Sequence, residues 1–328
     1  MTAVEVDPRT APDAELASVH ELLSYVHGES NAAEPYRTVS DTLGFLRHPP
    51  AADRRFQWIV RDGGDAIGFA QLRLVAGTDA GRLIELAVHP QHRGRGHGSE
   101  LLDAVSRRAR AAGCRTIAGA HATTAGARFA AARGATDVRR DVRSLLSLVG
   151  FQPQLTPVAG YTTASWTGAA PNGVVESFAR ARMAINDAPG ECEDWDVARV
   201  RDLERSVELR DRQLRVTAAL DAGGGVVGFT ELRVSRTPGA VAATQDTAVS
   251  REHRGRGLAV WMKSEALAGL RRDRPDVSLV STINAESNTA ILAVNSRLGF
   301  VRVATETACV LDLRTKQRGS AEPQASGR

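Results

Sequence analysis

Apolar and polar residues alternate along "AIGFAQLRLV" (66–75) and again along "VVGFTELRVS" (226–235), with β-formers throughout, and the period of two predicts a strand in each place. Two more strands are expected just downstream, at "RLIELAVHP" (82–90) and "AATQDTAVS" (242–250). The period then changes. In "SELLDAVSRRARAAG", Leu101, Leu102, Val105 and Ala109 share one helical face, and Gly113 ends the run. In "VWMKSEALAGLRRDRP", Met262, Ala266, Leu267 and Leu270 do the same, with Pro275 just past the end. Each helix leads to a short strand (115–122 and 277–284), a second helix (125–135 and 288–300) and a closing strand, "DVRSLLSL" or "ACVLDLR".

The same order of elements therefore occurs twice, and so do individual residues. Gly68, Phe69, Leu72 and Arg73 recur as Gly228, Phe229, Leu232 and Arg233. Internal repetition of this kind points to a tandem duplication of one α/β unit built on a mixed sheet. The expected units are 1–150 and 151–314. "VGFQPQLTPVAGY" (149–161) links them, and 315–328 is expected to be a disordered tail.

Composition narrows the choice of chemistry. The 328 residues suffice for two cores. No apolar run is long enough to span a bilayer, and the N-terminus lacks the apolar stretch of a signal peptide, so a cytoplasmic protein with no membrane partner is expected. The net charge is only +4, and the arginines are scattered among acids with few aromatics, which argues against nucleic acid. Lysine occurs only at 263 and 316, a bias toward arginine and alanine that suggests a high-GC bacterial coding sequence. Cys114, Cys192 and Cys309 are odd in number and far apart, so buried thiols are expected rather than disulfides or a zinc site, and no metal is expected.

Between the second strand and first helix of each unit stands one turn, "HRGRGHG" (92–98) or "HRGRGLA" (253–259). Glycines permit positive φ and close approach, and successive N–H groups at a helix N-terminus form a nest for phosphate. Neither copy carries the lysine of a Walker A loop or the glycine spacing of a dinucleotide fold.

In these segments, "LAVHPQHRGRGHGSELL" and "TAVSREHRGRGLAVWMK", with "NTAILAVNSRLGF" further on, the chain resembles the GCN5-related N-acetyltransferase (GNAT) superfamily. The resemblance implies two tandem GNAT-like domains that use acetyl-CoA. It implies cofactor contacts from Ala87, Val88, Arg93, Gly94, Arg95, Gly96, His97 and Gly98 in the first copy. In the second it implies them from Ala248, Val249, Arg254, Gly255, Arg256, Gly257, Leu258, Ala259 and Asn288. Asn295 stands where the family carries a tyrosine that protonates the leaving thiolate, and could only hydrogen-bond the sulfur. Tandem chains of this length also resemble mycothiol-synthase-like actinobacterial proteins, and the missing tyrosine departs from that pattern.

Attack of an amine on a thioester calls for a general base on the strand before the nest. The candidates are Asp246 and Glu231 in the second copy, and Glu85 in the first, where Glu85 and Gln71 are the matching residues. Asp246 and Glu85 share a register eight residues before Arg254 and Arg93. The first copy has Thr123 and Ala130 where the second has Asn288 and Asn295, so the second is expected to catalyse while the first binds acetyl-CoA structurally or acts as a scaffold. His92 and His253 share a register that suggests packing or phosphate contact. The acidic segment 186–196 reads as a solvated loop, or as a lid favouring a cationic acceptor. The expected activity is acetyl transfer to a primary amine of a small molecule or peptide, by a monomer or homodimer. The alternatives are a mycothiol-synthase type of activity, another acyl donor, or a non-catalytic acyl-CoA sensor.

Overall fold

A computed structural model describes residues 2–51, 53–74, 78–153, 155–187, 194–239 and 241–314. The expected tail (315–328), Cys192 and residues 188–193 of the acidic segment lie outside the described residues.

In the first half the order is β1 (Val4–Val6), α1 (Asp13–Ser30), α2 (Val39–Arg47), β2 (Arg54–Asp62), β3 (Asp65–Leu74), β4 (Ala80–Val88), α3 (His97–Ala111), β5 (Thr116–His121), α4 (Thr124–Ala132) and β6 (Thr136–Ser147). The second half repeats it with β7 (Thr162–Thr167), α5 (Val175–Arg182), α6 (Val197–Leu209), β8 (Arg212–Leu220), β9 (Val226–Ser235), β10 (Ala242–Val249), α7 (Leu258–Asp273), β11 (Leu279–Ala285), α8 (Thr289–Arg297) and β12 (Val301–Asp312). The apolar faces read from the sequence are the buried ones: Leu101, Val105 and Ala109 on α3, and Met262, Leu267 and Leu270 on α7, are at most 1% exposed. The repeated glycines let each helix lie close on its strand. A Cβ at Gly68 would stand 3.2 Å from Leu101 Cδ1, and one at Gly228 would stand 3.1 Å from Met262 Cε.

All twelve strands form one mixed sheet, in the order β1-β2-β3-β4-β5-β12-β6-β11-β10-β9-β8-β7. Here the structure differs from the simple tandem. The closing strand of each half completes the other half. β12 lies antiparallel to β5, β6 lies antiparallel to β11, and the two exchanged strands pair with each other at the centre. Apolar packing gives the reason. Leu146 and Leu148 bury among Leu232, Leu267 and Phe300 of the second half, while Leu313 buries among Leu72, Val105 and Ile117 of the first.

The parallel pairs that hold the glycine turns are short. β4 pairs with β5 only from Ala80–Arg82 to Thr116–Ala118, and β10 with β11 only at Ala242 and Ala243. Beyond those pairings the neighbours part toward the glycine turns, leaving a wedge in each half. The register also slips on the adjoining antiparallel side, between Gln71 and Leu72 in β3 and between Thr244 and Thr247 in β10.

Candidate active site

At the mouth of each wedge the two turns have nearly the same backbone. Gly94 and Gly96 lie at φ 75° and 89°, and Gly255 and Gly257 at 75° and 86°. L-side chains avoid this region, which explains the glycine pair in both copies. Above all four positions a Cβ would meet nothing within 4 Å, so the turns face open space. Gly96 and Gly257 are the residues from which α3 and α7 begin, so each open nest sits on a helix N-terminus. This geometry suits a phosphorylated ligand at both turns.

The first arginine of each turn is engaged within the protein. Arg93 Nε donates to the Val88 carbonyl at 3.0 Å, and Arg254 Nε donates to the Val249 carbonyl at 2.8 Å. Their outer nitrogens pair with Glu29 (2.5 Å) and Asp187 (2.6 Å). These arginines brace the turn and carry a counter-charge, while Arg95 and Arg256 are the exposed pair beside the nest. The side chains of His97 and Leu258 are buried beneath it, as are those of Ala87, Val88 and Ala248, so these residues can offer a ligand only backbone groups. Gly98 packs against Phe129, with Ala259 at the corresponding place in α7.

Polar groups expected in the second copy are also committed elsewhere. Asn288 caps α8, its Oδ1 accepting from Ile291 N–H at 3.3 Å. Asn295 is 2% exposed and its Nδ2 donates to Asn284 Oδ1 at 2.8 Å, so it does not face a sulfur in the wedge. Glu231 is fully buried and ion-paired to Arg182, which also donates to Asp246 Oδ2 at 3.0 Å. The Arg182 guanidinium lies 3.7 Å from the Trp195 ring centroid, and its side chain is 1% exposed. A base in this position would have to work against a fixed buried cation. Removing Arg182 alone would leave Glu231 uncompensated, at a cost of about 3–5 kcal/mol.

In the first copy the corresponding strands pair Gln71 directly with Glu85. Glu85 is half-buried and has no hydrogen bond or ion pair among the described residues. Burial pushes its carboxyl up from the ordinary value. Arg37 opposes that rise, and Glu306, from the exchanged strand β12, adds to it. Tyr36 stands beside them, its hydroxyl pushed up to about 12, chiefly by burial. Sequence reading missed this surround because Arg37 and Glu306 lie 48 and 221 residues from Glu85; the fold of the first half brings Arg37 to it, and the strand exchange brings Glu306. Arg182, too, sits 49 and 64 residues from its partners.

The other expectations divide. His253 shares a 2.9 Å hydrogen bond with Tyr161, and His92 lies 3.9 Å from Asp62, so both serve packing beside the turn. In the described part of the acidic segment, Asp187 pairs with Arg254 and Trp195 covers Arg182, so neither residue is idle in solvent. Cys114 and Cys309 are buried and unbridged.

Comparison with known proteins agrees with this geometry. The Acetyltransferase (GNAT) family model matches residues 18–134. A tandem GNAT protein from the clavulanic acid biosynthesis pathway superposes with a TM-score of 0.82 at 27% identity, covering 96% of this chain and 99% of that one. Residues 18–134 thus carry a GNAT acetyltransferase domain, and the chain as a whole shares the tandem GNAT fold. Among relatives, the mycothiol acetyltransferase of Stackebrandtia nassauensis is 29% identical over 300 residues, 89% of this chain and 94% of that protein. An amino-acid acetyltransferase of Pseudomonas fluorescens is 44% identical over 59 residues, 18% of this chain and 14% of that one. No helix among the described residues is long and apolar enough to cross a membrane.

Proposed function

We propose that this GNAT acetyltransferase moves the acetyl group of acetyl-CoA to a primary amine, and that the reaction runs in the first half with Glu85 as general base. The observation that carries the reading is the contrast between the two wedges. Glu85 is an uncommitted carboxylate in a desolvated place, whereas Asp246 and Glu231 share a buried arginine. Acetyl-CoA supplies a thioester already activated toward nucleophiles.

The residues of the chain do the remaining work. The N–H groups around Gly94–Gly98 and the dipole of α3 hold the pyrophosphate, aided by Arg95. The parted end of β4, past the register slip, leaves backbone groups free to orient the acyl chain in the wedge. Glu85 takes a proton from the incoming ammonium, directly or through water, and so presents a free amine. A carboxyl with a raised pKa suits that task near neutral pH better than an ordinary one. The released thiolate, of ordinary pKa about 8.5, leaves without a dedicated acid or takes its proton from water. The second nest is as open as the first and binds a second acetyl-CoA in a supporting role. Because the donor is acetyl-CoA, we place the protein in the cytoplasm.

A second reading is a mycothiol acetyltransferase type of activity, favoured by a likeness to such relatives that spans nearly the whole chain. A screen of amines by thiol release tests both readings, since even a poor acceptor frees CoA. Turnover with one or more amines is expected, and acetyl-CoA binding without turnover on any amine would indicate a sensor instead.

A further inference from the structure

Where α2 meets the start of β8, three guanidinium groups surround one ring. The carbon centres of Arg37, Arg55 and Arg210 lie 4.7, 4.9 and 5.5 Å from the Phe45 centroid. The seam is tight, for a Cβ at Gly44 would stand 3.0 Å from the Arg210 backbone. Arg210 is 7% exposed. Its Nε donates to the His48 carbonyl at 2.7 Å, its Nη2 is buried with no acceptor, and it makes no ion pair among the described residues. The Arg55 side chain is 10% exposed and shares Asp53 with Arg73, at 2.8 Å each, while its Nη1 is buried without an acceptor. Arg212 Nε forms a long ion pair with Asp41, at 3.6 Å, and is buried with no hydrogen-bond acceptor.

A buried cation without a counter-charge is costly, and here several donors aim at one another's neighbourhood with too few acceptors. Burial, and then Arg55, push the Arg210 guanidinium down to about 9, the mark of a site short of negative charge. Arg37 also lies 5.2 Å from the centroid of the Tyr36 ring, beside Glu85, and its charge holds the Glu85 carboxyl down against burial, which joins the cluster to the proposed reaction site.

We infer that the Arg37–Arg55–Arg210–Arg212 cluster at the seam of the two halves binds an oxyanion, and that this oxyanion is the carboxylate or phosphate of the amine acceptor. The acceptor is then an amine that carries a negative group, such as an amino acid, rather than the cationic amine that an acidic lid would favour. This rests on the acetyl-transfer reading above and narrows it. Guanidinium groups suit the task because they present several donors in a plane that matches carboxylate and phosphate.

Two arms test it. In the first, the thermal midpoint is followed in phosphate-free buffer without acetyl-CoA while inorganic phosphate is added. Phosphate should stabilise the wild type. Arg210→Met should start at a higher midpoint and show a smaller gain, the remainder coming from the intact nests. An equal gain in both proteins would overturn the anion site. The second arm compares amino acids with their amides as acceptors. The wild type should favour the carboxylate form by about tenfold or more in kcat/KM, the scale of one charge-assisted hydrogen bond. That preference should fall toward one in Arg210→Met and, should that variant fold poorly, in Arg37→Gln, with the KM for acetyl-CoA unchanged. No preference in the wild type, alongside Arg210-dependent phosphate binding, would make the anion purely structural and overturn the acceptor assignment. If no amine were acetylated, the acetyl-transfer reading would fall, and the phosphate arm alone would decide the anion site.

Discussion

Burial displaces the pKa of two side chains of this protein, Glu85 upward and Lys263 downward, and each displacement has a measurable consequence. Glu85 is raised above the ordinary glutamate value of 4.5, chiefly by burial. A base must be deprotonated to act, so kcat/KM should fall as pH drops through that raised pKa, and the acid limb should lie above 4.5. A pH–rate profile checks this, and Glu85→Gln should remove the limb along with the rate. Lys263 is 2% exposed, its Nζ lies 5.2 Å from the Phe300 ring centroid with no hydrogen-bond partner among the described residues, and burial pushes it down to about 7 from 10.5. Between those values the unfolded chain holds a proton that the folded chain has released, so this group makes stability rise with pH across that window. Below about 7 its full penalty remains. Lys263→Met should therefore stabilise the protein at pH 7 by about 1–4 kcal/mol, and the advantage should shrink toward pH 10. Urea melts at two pH values read this out.

The turn and its following helix are the element on which the proposed cofactor binding rests. At φ 89°, Gly96 has a conformation that alanine adopts at a cost of about 1–2 kcal/mol, and any side chain there projects into the open nest. Gly96→Glu should abolish acetyl-CoA binding in the first half and Gly257→Glu in the second, each leaving the other site intact by calorimetry. Elements of this kind were legible in the sequence. The strands, the nests and the buried faces of α3 and α7 follow from local period and turn chemistry, and they recur in the same order, 160 residues on in the strands and 161 at the turns. The commitments of single polar residues were not legible. Nothing local marks Asn295 as the partner of Asn284, or Arg182 as the cation between Glu231 and Asp246, because those contacts join separate segments.

For the whole molecule, the exchange of β6 and β12 is the governing feature. We infer that 1–150 and 151–314 are the duplicated units, but each lacks the strand that completes its own sheet. Residues 1–150 alone would leave β5 without β12 and strip Leu313 from its core. That fragment should expose an open sheet edge and aggregate, or pair with another copy, while the intact chain unfolds in one cooperative transition. Scanning calorimetry of the chain and size-exclusion of the fragment check this. The same exchange places Glu306 near Glu85, so on the proposed reading the second half helps to build the first half's reaction site.

The central claim is that chemistry runs in the first wedge on Glu85, and thiol release with a competent amine at saturating acetyl-CoA tests it most directly. Glu85→Gln should lose about 10²–10⁴-fold in kcat with acetyl-CoA affinity retained, and Asp246→Asn should stay close to the wild type. The reverse pattern, with Glu85→Gln active and Asp246→Asn inactive, would move the reaction to the second wedge and contradict the account.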